Sequence, residues 1–197
     1  GRIHAIGSQD ETAKKQFADR SYFINLRIEP YYEYSKARLP ETEFFYDQLI
    51  KDTLDTVATV VHGDFSPKNI LVKNNNLILL DFEVMHFGDP AFDLGFAITH
   101  FLSKANYLDN VQFVEAALVF WESYQQCFKS MESCLEERIV RHVLGCMIAR
   151  VHGRSPLEYL ADSQQSWQSA TTLKLISTRH DSLADLFEEY KYELNER

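Results

Sequence analysis

The stretch from Val60 to Gly95, VVHGDFSPKNILVKNNNLILLDFEVMHFGDPAFDLG, restricts the fold of this chain more than any other. It reads as strand, polar loop, strand, three-asparagine turn, strand, second polar loop and helix start. Asn74, Asn75 and Asn76 suit a short hairpin, because asparagine tolerates the left-handed backbone that tight turns need. A hairpin folded about Asn75 pairs Lys73 with Leu77, Val72 with Ile78 and Asn69 with Asp81; a bulge shifts that register by one residue. Residues directly opposed on a hairpin have Cβ atoms about 5 Å apart, close enough to share one cation. Magnesium binds oxygen at about 2.1 Å and is usually held by one or two carboxylates together with substrate phosphates. The pattern therefore builds half a magnesium site at the strand ends, with a further carboxylate, Asp64, on the neighbouring loop.

Phosphoryl transfer needs such an arrangement: a divalent ion on the donor phosphates and a carboxylate that orients the attacking hydroxyl and accepts its proton. The protein kinase signature has H-R-D, an asparagine five residues after that aspartate, and then D-F-G. Here the corresponding residues are His62-Gly63-Asp64, Asn69 and Asp81-Phe82-Glu83, at the same interval from Asp to Asn. Gly63 and Glu83 depart from an ordinary protein kinase. The pattern HGDFSPKN…LLDFE…GDPAFDLG instead resembles the aminoglycoside phosphotransferase and choline kinase-like family of small-molecule kinases. The resemblance implies Asp64 as catalytic base, Asn69 and Asp81 as magnesium ligands, ATP or another nucleoside triphosphate as donor, and a small-molecule hydroxyl as acceptor. ARVHGRSPLEYL, near the C-terminal third, is similar to bacterial members of the same family.

Several of these residues carry plainer readings too. His62 supports the loop through hydrogen bonds rather than moving a proton. Glu83 is either a ligand of the ion or a partner of its ligands. Asp89 and Asp93 flank a helix start, where an aspartate caps the helix, braces a loop or takes part in catalysis. Arg27, and likewise Arg150 and Arg154, either contact substrate or pair with acidic neighbours and helix ends.

The net charge of −9 argues against a nucleic-acid surface, which rests on lysine and arginine neutralising phosphates. No apolar run reaches membrane-spanning length and no secretion signal opens the chain. Cys127, Cys134 and Cys146 are odd in number and lack metal-ligand spacing, so they read as reduced thiols of a cytoplasmic protein.

Elsewhere the pattern is helical. Asp10–Asp19 reads as a short helix or loop, and Pro30 breaks any regular element in the aromatic run SYFINLRIEPYYEY. A long helix is expected over 40–59 with an apolar stripe of Phe44, Phe45, Leu49, Leu54 and Val57. An almost wholly apolar helix follows over 92–104, then amphipathic helices over 110–128, 135–151, 164–177 and 182–194, and a short one in PLEYLAD. The fold class expected is α+β and mainly α: the C-terminal catalytic lobe of a protein kinase-like fold, with a small β-hairpin layer and a helical bundle, spanning 1–197. No G-x-G-x-x-G occurs and no β-rich segment precedes the catalytic loop. The chain is accordingly expected to be a fragment that lacks its N-terminal nucleotide-binding lobe and is inactive alone, with an apolar face left open near Val60 and the hairpin. Two other classes stay open, a non-catalytic pseudokinase-like binding module and a metal-dependent phosphohydrolase.

Overall fold

A computed structural model describes residues 1–74, 76–128 and 134–197. Two helices, α1 (Arg2–Gly7) and α2 (Glu11–Gln16), precede a continuous helical rod over 21–38. That rod is α3 (Ser21–Phe23), a π-helical stretch (Ile24–Glu33) and α4 (Tyr34–Arg38). Pro30 lies inside the π-helical stretch and does not break the rod, contrary to the sequence expectation. Proline removes a backbone donor and its ring collides with the preceding turn of an α-helix. The wider π turn accommodates that ring, and the Pro30 carbonyl accepts the Arg154 N–H at 3.0 Å.

Helix α5 (Glu43–Asp55) is shorter than the helix expected over 40–59 and begins after a 3-10 turn at Pro40–Thr42. Its buried face is Tyr46, Leu49, Ile50 and Thr53, whereas Phe44 is 79% exposed and Val57 lies beyond the helix end. Strand β1 (Thr59–Val61) follows and pairs antiparallel with β4 (His86–Gly88), Thr59 against Gly88 and Val61 against His86. Val60 is buried, so the apolar face expected to stay open near Val60 and the hairpin does not include it.

The hairpin is β2 (Ile70–Lys73) and β3 (Asn76–Leu79). Its register is Ile70 with Leu79, Leu71 with Ile78, Val72 with Leu77 and Lys73 with Asn76. The turn thus has two residues rather than three, with Asn74 at φ 50° and Asn75 outside the described residues. Two-residue hairpin turns match the strand twist and demand this left-handed backbone. One residue fewer in the turn moves Asn69 opposite Leu80, not Asp81, and the Leu80 N–H donates to the Asn69 carbonyl at 2.9 Å. Leu71, Val72, Leu77 and Ile78 are all exposed on this ribbon.

Among the described residues, five helices follow: α6 (Pro90–Leu108), α7 (Gln112–Cys127), α8 (Leu135–His152), α9 (Asp162–Ser177) and α10 (Leu183–Asn195). Helix α6 is buried along most of its length, as its composition requires. Gly95 lets α8 approach it closely, since a Cβ there would stand 2.3 Å from His142 Cβ. Leu94, Ile98 and Leu102 on α6 meet Ile139, Val143 and Met147 on α8 in the main core. The short helix expected in PLEYLAD does not form. Leu157 instead donates its N–H to the Arg150 carbonyl at 2.9 Å, and Leu157 and Leu160 are buried. The result is a mainly helical α+β lobe with a small antiparallel strand layer.

Candidate active site

The loop after β1 is held from below by α6. Asp93, in the first turn of that helix, accepts the His62 N–H at Oδ2 and the Gly63 N–H at Oδ1, each at 2.8 Å. His4 on α1 adds a contact to Oδ2 at 3.2 Å. Burial alone would raise the Asp93 pKa, but His4 and the two backbone donors outweigh it and hold the carboxyl below its ordinary value. Gly63 needs to be glycine on two counts. Its φ is 77°, and a Cβ would meet the Val84 carbonyl at 2.7 Å.

With the backbone so fixed, Asp64 projects a carboxylate that is 2% exposed overall. Oδ1 receives Arg27 Nη2 at 3.0 Å; Oδ2 receives Asn69 Nδ2 at 2.7 Å and Lys68 Nζ at 3.1 Å. Arg27 Nε also donates to the Gly63 carbonyl at 2.8 Å. Asn69 donates its amide a second time, to the Asp64 carbonyl at 2.9 Å. Its amide nitrogen is therefore spent on Asp64, which leaves Oδ1 as the atom available to a ligand. Asn69 owes this position to the 3-10 turn at Pro67–Asn69, where Pro67 fixes the first residue of the turn.

His62 links this loop to the hairpin. Its Nδ1 accepts the Asp64 N–H at 3.2 Å, so the proton sits on Nε2, which donates to the Leu80 carbonyl at 3.1 Å. Both ring nitrogens are occupied by backbone partners. Leu80 is the residue just before Asp81, so the same imidazole steadies both loops.

Asp81 stands differently. It is exposed, its backbone is left-handed with φ 66°, and its carboxylate has no hydrogen bond or ion pair among the described residues. A left-handed non-glycine residue is uncommon and aspartate is one of the few that adopt it; such positions gather at ligand sites. Glu83 is likewise exposed and unpaired among the described residues. Asp89 caps α6 by accepting Ala91 N–H at 2.9 Å and pairs with Arg138 at 2.8 Å, an arginine that the sequence reading did not single out.

The sequence-derived candidates thus separate. Asp64, Asn69 and His62 are joined by direct hydrogen bonds, and Asp81 is reached through Leu80. Among the described residues no cluster of three or more histidine, cysteine or acidic side chains could hold a metal by itself. An exposed carboxylate at Asp81 and a free amide oxygen at Asn69 do suit magnesium, which dehydrates reluctantly and completes its shell with water and phosphate oxygens. Among the described residues no helix is long and apolar enough to cross a membrane.

The family model for the phosphotransferase enzyme family matches residues 1–129. The chain belongs to that family, whose general activity is phosphoryl transfer. The match takes in α1, the loop after β1, the hairpin, α6 and α7, and stops before α8. No curated protein matches the chain.

Proposed function

We propose that this chain is the catalytic lobe of an ATP- and magnesium-dependent small-molecule kinase, transferring the γ-phosphoryl group to an acceptor hydroxyl. The carrying observation is Asp64: a buried carboxylate on a loop whose backbone is clamped by Asp93, with Asn69 bonded to it and Asp81, unpaired among the described residues, two positions after the end of β3. Asp64 orients the hydroxyl and takes its proton. Arg27, Lys68 and Asn69 fix its rotamer, and positioning is most of what this chemistry asks of a protein. Asn69 Oδ1 and Asp81 would hold the ion, with Glu83 beside them; when bound, magnesium would neutralise charge on the donor phosphates. A two-metal phosphohydrolase would need more ligands than the described residues offer here.

No glycine-rich phosphate loop occurs in the 197 residues. On this reading the parts that cover the phosphates lie outside them, and residues 1–197 alone do not turn over. The test is acceptor-dependent ADP release by the full-length gene product with ATP and magnesium. Asp64→Asn should lower it by at least ~10²-fold, the scale of general-base catalysis. Near-normal release in that variant would end the assignment, and robust release by residues 1–197 alone would end the two-part reading.

A further inference from the structure

The kinase reading leaves the acceptor open, and the side chains packed around Asp64 bear on it. Arg27, which reaches Asp64, and Arg150 on α8 share two rings. The Arg27 guanidinium carbon lies 5.9 Å from the ring centroids of both Tyr31 and Phe96, and that of Arg150 lies 5.4 Å from both. Arg150 is 9% exposed. Its Nη1 donates to Tyr31 Oη and the Ser155 carbonyl, each at 2.8 Å, and its Nη2 lies 3.3 Å from His100 Nε2. All three acceptors are neutral. No carboxylate of the described residues pairs with Arg150, and its Nε is sealed from water without an acceptor. A guanidinium does not deprotonate, and burying a charge without a counter-ion is unfavourable.

A second unpartnered group stands in the same cluster. Tyr159 Oη is also sealed and has no hydrogen bond, and Lys104 Nζ lies 3.6 Å from the centroid of the Tyr159 ring. Lys104 pairs with no carboxylate of the described residues either. Burial, and then Arg150, push His100 down to about 3, so its imidazole stays neutral. The charged groups acting most on it are Arg150, Lys68 and Lys104, which lower it further, and Asp64, which raises it. Arg27 and Lys68 pair with Asp64, and Arg150 and Lys104 have no carboxylate partner among the described residues, in a chain whose net charge is −9. Among the described residues, the cations of this cluster outnumber its one carboxylate, Asp64.

We propose that this cluster binds the anionic end of the phosphoryl acceptor, a small hydroxyl compound bearing a carboxylate or phosphate oxyanion, and thereby presents its hydroxyl to Asp64. The inference rests on the kinase reading and narrows its substrate class. In the transfer, the acceptor O–H bond breaks and its proton passes to Asp64. The acceptor oxygen bonds to the γ-phosphorus, and the bond from that phosphorus to the bridging oxygen breaks to release nucleoside diphosphate. A cationic amine acceptor would bring a fifth positive charge to the same place. Arg150 and Tyr159 both lie in the segment ARVHGRSPLEYL, C-terminal to the matched residues 1–129. Arg150 Nε and Tyr159 Oη are sealed from solvent, so binding here requires residues 153–161 to move.

The chain can be titrated with glycerate, glycerol 3-phosphate, glycerol and choline, by calorimetry and by the NMR resonance of the Arg150 Nε–H. At least one anion should bind saturably and move that resonance, while glycerol and choline should not; the preferred anion tells carboxylate from phosphate. Arg150→Met should weaken anion binding at least ~10-fold, as expected for charged hydrogen bonds. Tyr159→Phe removes a hydroxyl with no internal partner, so the fold is kept, and should weaken binding about 5-fold. Choline binding more tightly than both anions, neither anion binding, or anion affinities unchanged in both variants would overturn the proposal. Anion binding without any phosphoryl transfer by the full-length protein would remove the kinase reading and leave this site standing. Transfer to choline or an aminoglycoside would do the reverse.

Discussion

The hairpin corner and the arginine cluster both connect to Asp64, the first through His62 and Leu80, the second through Arg27. At the corner Asp81 is exposed, unpaired among the described residues and held in a left-handed backbone. In the cluster Arg150 is buried beside the Tyr31 and Phe96 rings, with neutral hydrogen-bond partners. One neighbourhood carries spare negative charge at the surface, the other spare positive charge in the interior. The difference teaches how the two halves of a transfer site can be built. A hydrated cation bridged to phosphates needs an open carboxylate, whereas selection of a small acceptor rests on desolvated groups, where unpaired charge costs most.

The corner should be the easier half to break. Asp81→Asn preserves a residue that tolerates positive φ but removes the charge. On the present reading it should abolish measurable magnesium-dependent nucleotide binding by the full-length protein, and Asn69→Ala should weaken that binding and raise the magnesium requirement. Calorimetry showing unchanged affinity in both variants would detach the corner from the metal. Thermal stability should change little in Asp81→Asn, because the carboxylate has no partner to lose.

Asp93 sharpens the contrast, since it is an aspartate of the opposite kind. Asp93→Ala strands the N–H groups of His62 and Gly63 and the imidazole of His4. Folding stability should fall by roughly 3 kcal/mol or more. A denaturation midpoint close to that of the unaltered protein would show that the clamp is dispensable.

These two neighbourhoods also differed in how far the sequence revealed them. The corner and the catalytic loop lie within one contiguous stretch, so His62, Asp64, Asn69 and Asp81 could be picked out by type and interval alone. The register could not, because three successive asparagines allow a two-residue or a three-residue turn, and that choice moved Asp81 past Asn69. The cluster draws Arg27, Tyr31, Phe96, His100, Arg150 and Tyr159 from four separate elements. Arg27 and Arg150 stood out only as charges with two uses each, and nothing in their surroundings in sequence told which. Tertiary packing also overrode local propensity where Pro30 entered a π-helix and where Leu157 and Leu160 were drawn into the core instead of a short helix.

A smaller effect should appear in the pH dependence of folding. His100 has a folded pKa of about 3 against an ordinary 6.5, so the folded state favours the neutral ring. Its contribution to stability is complete above pH 6.5 and is lost as pH falls from there towards 3. His86 and His142, lowered chiefly by burial, act in the same direction. Melting temperature should therefore decline from pH 6.5 to 4, and less steeply in His100→Asn. Equal slopes for the two proteins would show that His100 does not titrate in this way.

The destination of the transferred group tests the account most directly. ATP labelled in its γ-phosphoryl group can be supplied, with magnesium, to the full-length protein and a charge-matched series of hydroxyl compounds. The account predicts label in an anionic organic acceptor, its appearance suppressed at least ~10²-fold by Asp64→Asn. Label found only in inorganic phosphate, at a rate indifferent to Asp64→Asn, would contradict it.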